Sequence, residues 1–173
     1  MNYDTVVFDL DGTLVRLTVD WDVVAREVAL ALEERDIDPP DSLWGMLETA
    51  DENGARKAIE RIIADHERDG ARDSERLPAA DTIPEGPVGV CSLNAEEACY
   101  IALETHDIGG VSAVVGRDTV ATEKPDPAPL LETIERLGGD PARTLFVGDT
   151  DRDRETADRA GTDYVDVSDW LRA

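Results

Sequence analysis

The segment Thr5-Val6-Val7-Phe8-Asp9-Leu10-Asp11-Gly12-Thr13-Leu14 sets the architecture of this chain. An apolar, β-branched run ends on two carboxylates two residues apart, and Gly12 then turns the chain. A short apolar run closed by turn residues reads as a buried strand. In a parallel sheet the carboxyl ends of the strands form the edge where ligands bind. Residues i and i+2 of a strand point the same way, but the bend at Gly12 lets Asp9 and Asp11 take different positions around one substrate. An Asp-Gly turn beside a solvated acid has the same local appearance, so the downstream segments decide between the two.

Four later segments read as buried strands: 88–92, 112–115, 144–147 and 164–167. Helical segments separate them. Asn94, with Glu97 three residues on, has the pattern of an N-cap opening a helix through about Glu104. Pro125 and Pro127 precede a second helix, 128–137, which Gly138-Gly139 ends. A third runs from about Asp153 to Ala160 and stops at Gly161. Strands alternating with helices at this spacing predict an α/β fold, a doubly wound parallel sheet with a Rossmann-like core.

Between the first two strands the period changes. Trp21, Val24, Val28 and Leu32 recur at helical spacing, as do Leu43 with Leu47 and Ile59 with Ile62 and Ile63. Such a stretch is far longer than an ordinary strand-to-helix connection. The expected organisation is a catalytic core of residues 1–15 and 81–173, with 16–80 as a small inserted helical cap. The linkers fall near 15–18 and 77–87, and the aromatic and aliphatic stripes read as packing. Segment 67–75 mixes acids with arginines and reads as a solvated helix end.

The 173 residues include 40 acidic and 17 basic ones, for a formal net charge of −23. That field repels nucleic acid and anionic membranes. An acid-rich surface with only two lysines, Lys57 and Lys124, suits molar salt, where charges are screened within about 3 Å. The chain therefore reads as halophilic. No apolar run reaches the ~18 residues of a membrane span, and Met1-Asn2-Tyr3-Asp4 lacks the features of a secretory signal. A cytoplasmic location is expected. Cys91 and Cys99, the only cysteines, read as small buried side chains. Oligomeric state is not legible.

Three of the later strands are followed by residues suited to phosphate chemistry. Ser92 closes the second, and a hydroxyl with amide N–H groups at a helix N-terminus makes an anion site; for Asn94 a simple capping segment is the preferred reading. Lys124, in Glu123-Lys124-Pro125, follows the third, and its compact ammonium suits both a phosphate and a carboxylate nucleophile. Gly148-Asp149-Thr150-Asp151-Arg152-Asp153 follows the fourth. The helix dipole alone explains Asp151. Asp9, Asp11, Asp149 and Asp153 in one cleft would repel, by roughly 4 kcal/mol per pair at 4 Å and an effective dielectric of 20. A bound cation relieves that repulsion, and carboxylates with water and phosphate oxygens are what Mg²⁺ prefers.

With these elements in order, the chain resembles the haloacid dehalogenase-like hydrolase superfamily, in its phosphoglycolate phosphatase-like branch. The resemblance rests on Asp9-Leu10-Asp11-Gly12-Thr13, Ser92, Lys124-Pro125, Gly148-Asp149 with Asp153, and Ala157 with Ala160-Gly161. It implies a Mg²⁺-dependent phosphatase acting on a small phosphorylated metabolite. Asp9 would be the nucleophile that becomes an aspartyl-phosphate, and Asp11 the general acid and then base. Ser92 and Lys124 would hold phosphate oxygens, while Gly12 and Thr13 would orient the loop. Asp9, the Asp11 carbonyl, Asp149 and Asp153 would bind the metal. Leu93 stands where the family often has Asn, and the cap is short for the branch. Two alternatives share the core type: a sugar phosphomutase, and a non-enzymatic phospho-accepting module of the receiver type. The receiver type lacks a helical insertion and carries its acceptor Asp on a later strand, whereas the third strand here ends Val114-Val115-Gly116.

Overall fold

The computed structural model describes residues 3–173; Met1 and Asn2, part of the stretch read for a leader, lie outside them. In chain order the elements begin with β1 (Thr5–Phe8), β2 (Val15–Arg16), α1 (Trp21–Glu33), α2 (Leu43–Glu52), α3 (Arg56–Arg72) and β3 (Glu75–Arg76). They continue with β4 (Val88–Cys91), α4 (Glu96–Thr105), β5 (Ala113–Val115), α5 (Ala128–Arg136), β6 (Thr144–Gly148), α6 (Asp151–Ala160), β7 (Asp163–Asp166) and α7 (Val167–Trp170). Five strands form one sheet in the order β5-β4-β1-β6-β7, and all its pairs are parallel. The fold is a doubly wound α/β sheet.

The period of two in the strands assigns side chains to the two faces. Val7, Cys91 and Phe146 pack with Leu130 and Ile134 of α5 and with Ala157 of α6. Phe8, Val88, Val90 and Val147 face the other way, toward Ala98, Ala102 and Leu103 of α4. Trp170 of α7 closes that side, its ring edge-on to Phe8 at 5.6 Å. Successive connections step from β1 to β4 and β5 on one side, then return to β6 and β7 on the other. The order therefore reverses beside β1, and in sheets of this kind the ligand crevice opens at that reversal.

The helices α1–α3 bury a second apolar cluster of their own, built from Val24, Val28 and Leu32 with Met46, Leu47, Ile59 and Ile63. Chain entry and exit run side by side: β2 pairs antiparallel with β3, and Thr18 N–H donates to the Gly70 carbonyl. Gly70 is needed there, since a Cβ would stand 2.7 Å from the Thr18 carbonyl oxygen.

Three sequence expectations are corrected. Asn94 is not the N-cap of α4; Ala95 is, and its own side chain makes no cap bond. Segment 67–75 is not wholly a solvated helix end, because Glu67 on α3 is fully buried. The last long helix begins at Asp151 rather than Asp153, with Thr150 as its N-cap and Asp153 closing a capping box.

Candidate active site

Asp9 leaves the end of β1 with its backbone N–H held by the Val147 carbonyl, so it sits between β1 and β6 at the reversal of strand order. The chain then tightens: Leu14 and Val15 N–H both return to the Leu10 carbonyl, and Gly12 N–H reaches the Val15 carbonyl. Gly12 has φ +89°, in the region that favours glycine. Asp11 is held at the side of this loop, its Oδ1 accepting from Leu17 N–H at 2.8 Å. Thr13 is buried, and its Oγ1 is the one buried side-chain polar atom without a partner among the described residues.

Lys124 is buried beside Asp9. Its Nζ donates to Asp9 Oδ1 at 2.8 Å, to Asp153 Oδ1 at 2.5 Å and to the Cys91 carbonyl at 3.2 Å. The Phe146 ring lies beneath it at 5.5 Å. Asp153 is fixed from its other oxygen, Oδ2, by the hydroxyl and N–H of Thr150. Oxygens of Asp9, Asp149 and Asp153 lie within 4.8 Å of one another. The Asp11 carboxylate stands outside that group. Three hard oxygen donors this close are a donor set that Mg²⁺ accepts. They also carry more negative charge than one ammonium offsets, and the residues present thus fit a divalent cation.

The electrostatics follow from burial and this excess of carboxylates. Burial pushes Asp9 up to about 7, helped by Asp153 and Asp149 and opposed by Lys124. Burial pulls Lys124 down, but Asp9 and Asp153 outweigh it, so the ammonium holds its proton more firmly than usual. Asp149 is raised by burial and by Asp153. Burial also raises Asp11, against the Leu17 N–H.

A cavity of about 170 Å³ opens over these groups. Asp9, Asp11, Ser92 and Lys124 form its floor, while Trp21, Trp44 and Ile63 of the inserted helices form the wall. The aromatic stripe read as packing therefore divides: Val24, Val28 and Leu32 pack, whereas Trp21 faces the cavity. Ser92 Oγ donates to Asn94 Oδ1 at 3.0 Å and accepts Asn94 N–H at 3.1 Å. Lys57 is exposed on α3, away from the site.

Sequence reasoning missed the partners of that serine loop. Glu67 of α3 reaches across from the inserted helices, accepting Asn94 Nδ2 at 3.3 Å and Ala95 N–H at 3.0 Å. It thereby caps α4 from a distant part of the chain, together with Asp118, whose Oδ1 accepts the Glu96 N–H at 2.8 Å. Arg117, just beyond β5, grips Glu67 with both Nη atoms, at 2.6 and 3.0 Å, and Glu60 through Nε at 3.0 Å. Burial pulls the guanidinium down, but the two glutamates more than compensate and hold it above its ordinary value. The only sequence signal was an Arg directly after Val115-Gly116 on a strand end.

The chain has relatives among known proteins. A phosphoglycolate phosphatase of Aquifex aeolicus is 32% identical over 183 aligned residues, covering 91% of this chain and 81% of that protein. The chain belongs to the haloacid dehalogenase-like hydrolase family. The family model described as haloacid dehalogenase-like hydrolase matches residues 85–167. A phosphoglycolate phosphatase of Rhodospirillum rubrum is 29% identical, covering 94% of this chain and 78% of that one. In three dimensions, a HAD-superfamily hydrolase of subfamily IA from Geobacter sulfurreducens superposes with a TM-score of 0.63 at 24% identity. That match covers 95% of this chain and 89% of the other. Within the haloacid dehalogenase-like family the chain falls in the phosphoglycolate phosphatase-like branch, and it is a hydrolase of the phosphatase type.

Proposed function

We propose that the protein is a Mg²⁺-dependent phosphatase that hydrolyses a small phosphomonoester through an aspartyl-phosphate on Asp9. The observation that carries this reading is the double membership of Asp9. Among the described residues, it alone both lines the cavity and belongs to the three-carboxylate cluster. A substrate in the cavity and a cation in the cluster would therefore meet at its carboxylate.

In this mechanism the Asp9 carboxylate attacks phosphorus and the bond to the ester oxygen breaks. Asp11 gives its proton to the departing alkoxide, a task that its raised pKa supports. The Asp11 carboxylate then takes a proton from water, which attacks the same phosphorus and frees Asp9 and inorganic phosphate. Lys124 and Ser92 hold phosphate oxygens, and Thr13 with Gly12 orients the loop. Asp9, the Asp11 carbonyl, Asp149 and Asp153 would hold the Mg²⁺. Its chemistry there is to neutralise phosphate and carboxylate charge so that one anion can approach another.

Residues 16–80 act as a cap over a core of 1–15 and 81–173, and the separate apolar cluster of α1–α3 supports that division. The cavity is smaller than the ~300–1,000 Å³ typical of drug-sized ligands, which supports a substrate of a few carbons. The relatives are named for phosphoglycolate, a two-carbon ester of this size. The test is phosphate release from p-nitrophenyl phosphate in molar KCl, with Mg²⁺ or with EDTA, for wild type and Asp9→Asn. Metal-dependent release that the variant loses is expected. Equal release from the folded variant would overturn the covalent route.

A further inference from the structure

The three carboxylates of the acidic cluster are held unequally. Asp9 accepts a hydrogen bond from Lys124, and Asp153 accepts from Lys124 and from the hydroxyl and N–H of Thr150. The Asp149 carboxylate takes no hydrogen bond from another residue among the described residues. It is also the exposed member of the three. Its place in the cluster is therefore set by its backbone.

Asp149 is the one residue between the end of β6 at Gly148 and Thr150, the N-cap of α6. Tyr164, on the neighbouring strand β7, reaches over this junction. Its hydroxyl donates to the Gly148 carbonyl at 3.1 Å and, more weakly, to the Thr150 carbonyl at 3.4 Å. A phenol has a single O–H, so one proton is shared between carbonyls on either side of Asp149. The Thr150 carbonyl has other donors, the N–H groups of Asp153 and Arg154 in the first turn of α6. The Gly148 carbonyl matters more, because rotation of that peptide turns the N–Cα bond of Asp149 and swings its carboxylate.

The phenol is itself held from two sides. Its ring meets Phe146 edge-on at 6.5 Å, and the Arg154 guanidinium lies over it at 4.5 Å. Phe146 in turn lies beneath Lys124. A donor whose rotamer is locked by packing fixes a neighbouring ligand better than a mobile one does.

We propose that Tyr164 is the positioning residue for Asp149: its hydroxyl pins the peptide before Asp149, so that this carboxylate meets those of Asp9 and Asp153 around a divalent cation. The inference rests on the metal site of the phosphatase reading and adds to it a group that touches neither metal nor substrate. Outer partners of this kind carry about 10–100-fold in metal affinity.

The test is Tyr164→Phe, which keeps the ring against Phe146 and Arg154 and deletes one hydroxyl. Two midpoints are read in molar KCl: the Mg²⁺ concentration giving half of the rise in Tm, and that giving half-maximal release from p-nitrophenyl phosphate. Both are expected to increase by about tenfold or more, with excess Mg²⁺ restoring the lost rate. A variant with a lowered Tm in EDTA but unchanged Mg²⁺ midpoints would overturn the inference, since the phenol would then serve packing alone. A variant that does not fold would overturn it too. A wild type whose Tm and phosphate release both ignore Mg²⁺ would instead overturn the metal site itself, and the inference with it.

Discussion

Gly12 and Asp149 approach so closely that a methyl group on the Gly12 Cα would stand 2.2 Å from the Asp149 Oδ2. The bend after β1 and the acid after β6 are thus fitted to each other, across the reversal of strand order. Gly12→Ala must push Asp149 out of the cluster and hold a side chain at φ +89°. The strain costs about 1–3 kcal/mol. The variant is expected to fold with a lowered Tm and to lose any rise in Tm on adding Mg²⁺, both read by thermal unfolding with and without the metal.

The proposed binding of Mg²⁺ by Asp9, Asp149 and Asp153 would link to stability. At a Mg²⁺ concentration a hundred times its Kd, the gain is about 2.7 kcal/mol. Wild type should therefore melt higher in Mg²⁺ than in EDTA, and Asp149→Asn should melt at the same temperature in both. A wild-type Tm indifferent to Mg²⁺ would remove the metal from this cluster.

Asp9 gives the metal-free protein a pH signature. Its folded pKa lies above the ordinary 3.8, at about 7. Across that window the folded chain keeps a proton that the unfolded chain has released, so stability falls as pH rises from about 4 to about 7. Asp9→Asn should flatten this fall in EDTA-treated protein while reducing phosphate release by about 10³-fold or more. Parallel Tm profiles for the two proteins would contradict the assignment.

Lys124 separates two buried carboxylates, Asp9 and Asp153. Its removal brings them together without a cation, and breaking such a buried pair costs about 3–5 kcal/mol. Lys124→Ala is expected to lower Tm and to reduce kcat/KM by about 100-fold or more, as loss of a preorganised charge does. A near-normal rate with a lowered Tm would make the lysine purely structural.

The net charge of −23 spreads repulsion over the surface. Raising KCl from dilute buffer to 1 M shortens the screening length to about 3 Å, so the urea midpoint should rise over that range. A midpoint independent of KCl would argue against a surface adapted to salt.

The positions of three candidate site residues were legible because each directly follows an apolar strand, whereas Lys124 lies well beyond the end of β5. Asp9 follows Phe8, Ser92 follows Cys91, and Asp149 follows Gly148. Local pattern places such residues at the sheet edge without knowledge of any contact. The Glu67–Arg117 pair was not legible for the opposite reason. Its partners lie 50 residues apart, and a glutamate among the charges of Asp65-His66-Glu67-Arg68-Asp69 looks like every other solvated helix residue. Only tertiary packing of α3 against α4 distinguishes it. Asn94 misled in a related way. Its sequence matches a cap box, yet Glu67 performs that work from another part of the chain, leaving Asn94 to bind Ser92. The two-residue strands β2 and β3 are too short to leave any periodicity.

The reach of Glu67 from α3 into the start of α4 also bears on how such a protein can be rebuilt. Lids of this kind invite transplantation, because the chain enters and leaves through one narrow ribbon, β2 with β3. Here a graft at that ribbon would carry away both glutamates that hold Arg117 and the acceptor for the Ala95 N–H. Lid and scaffold are therefore exchangeable only as a matched set, with residues 60, 67 and 117 travelling together.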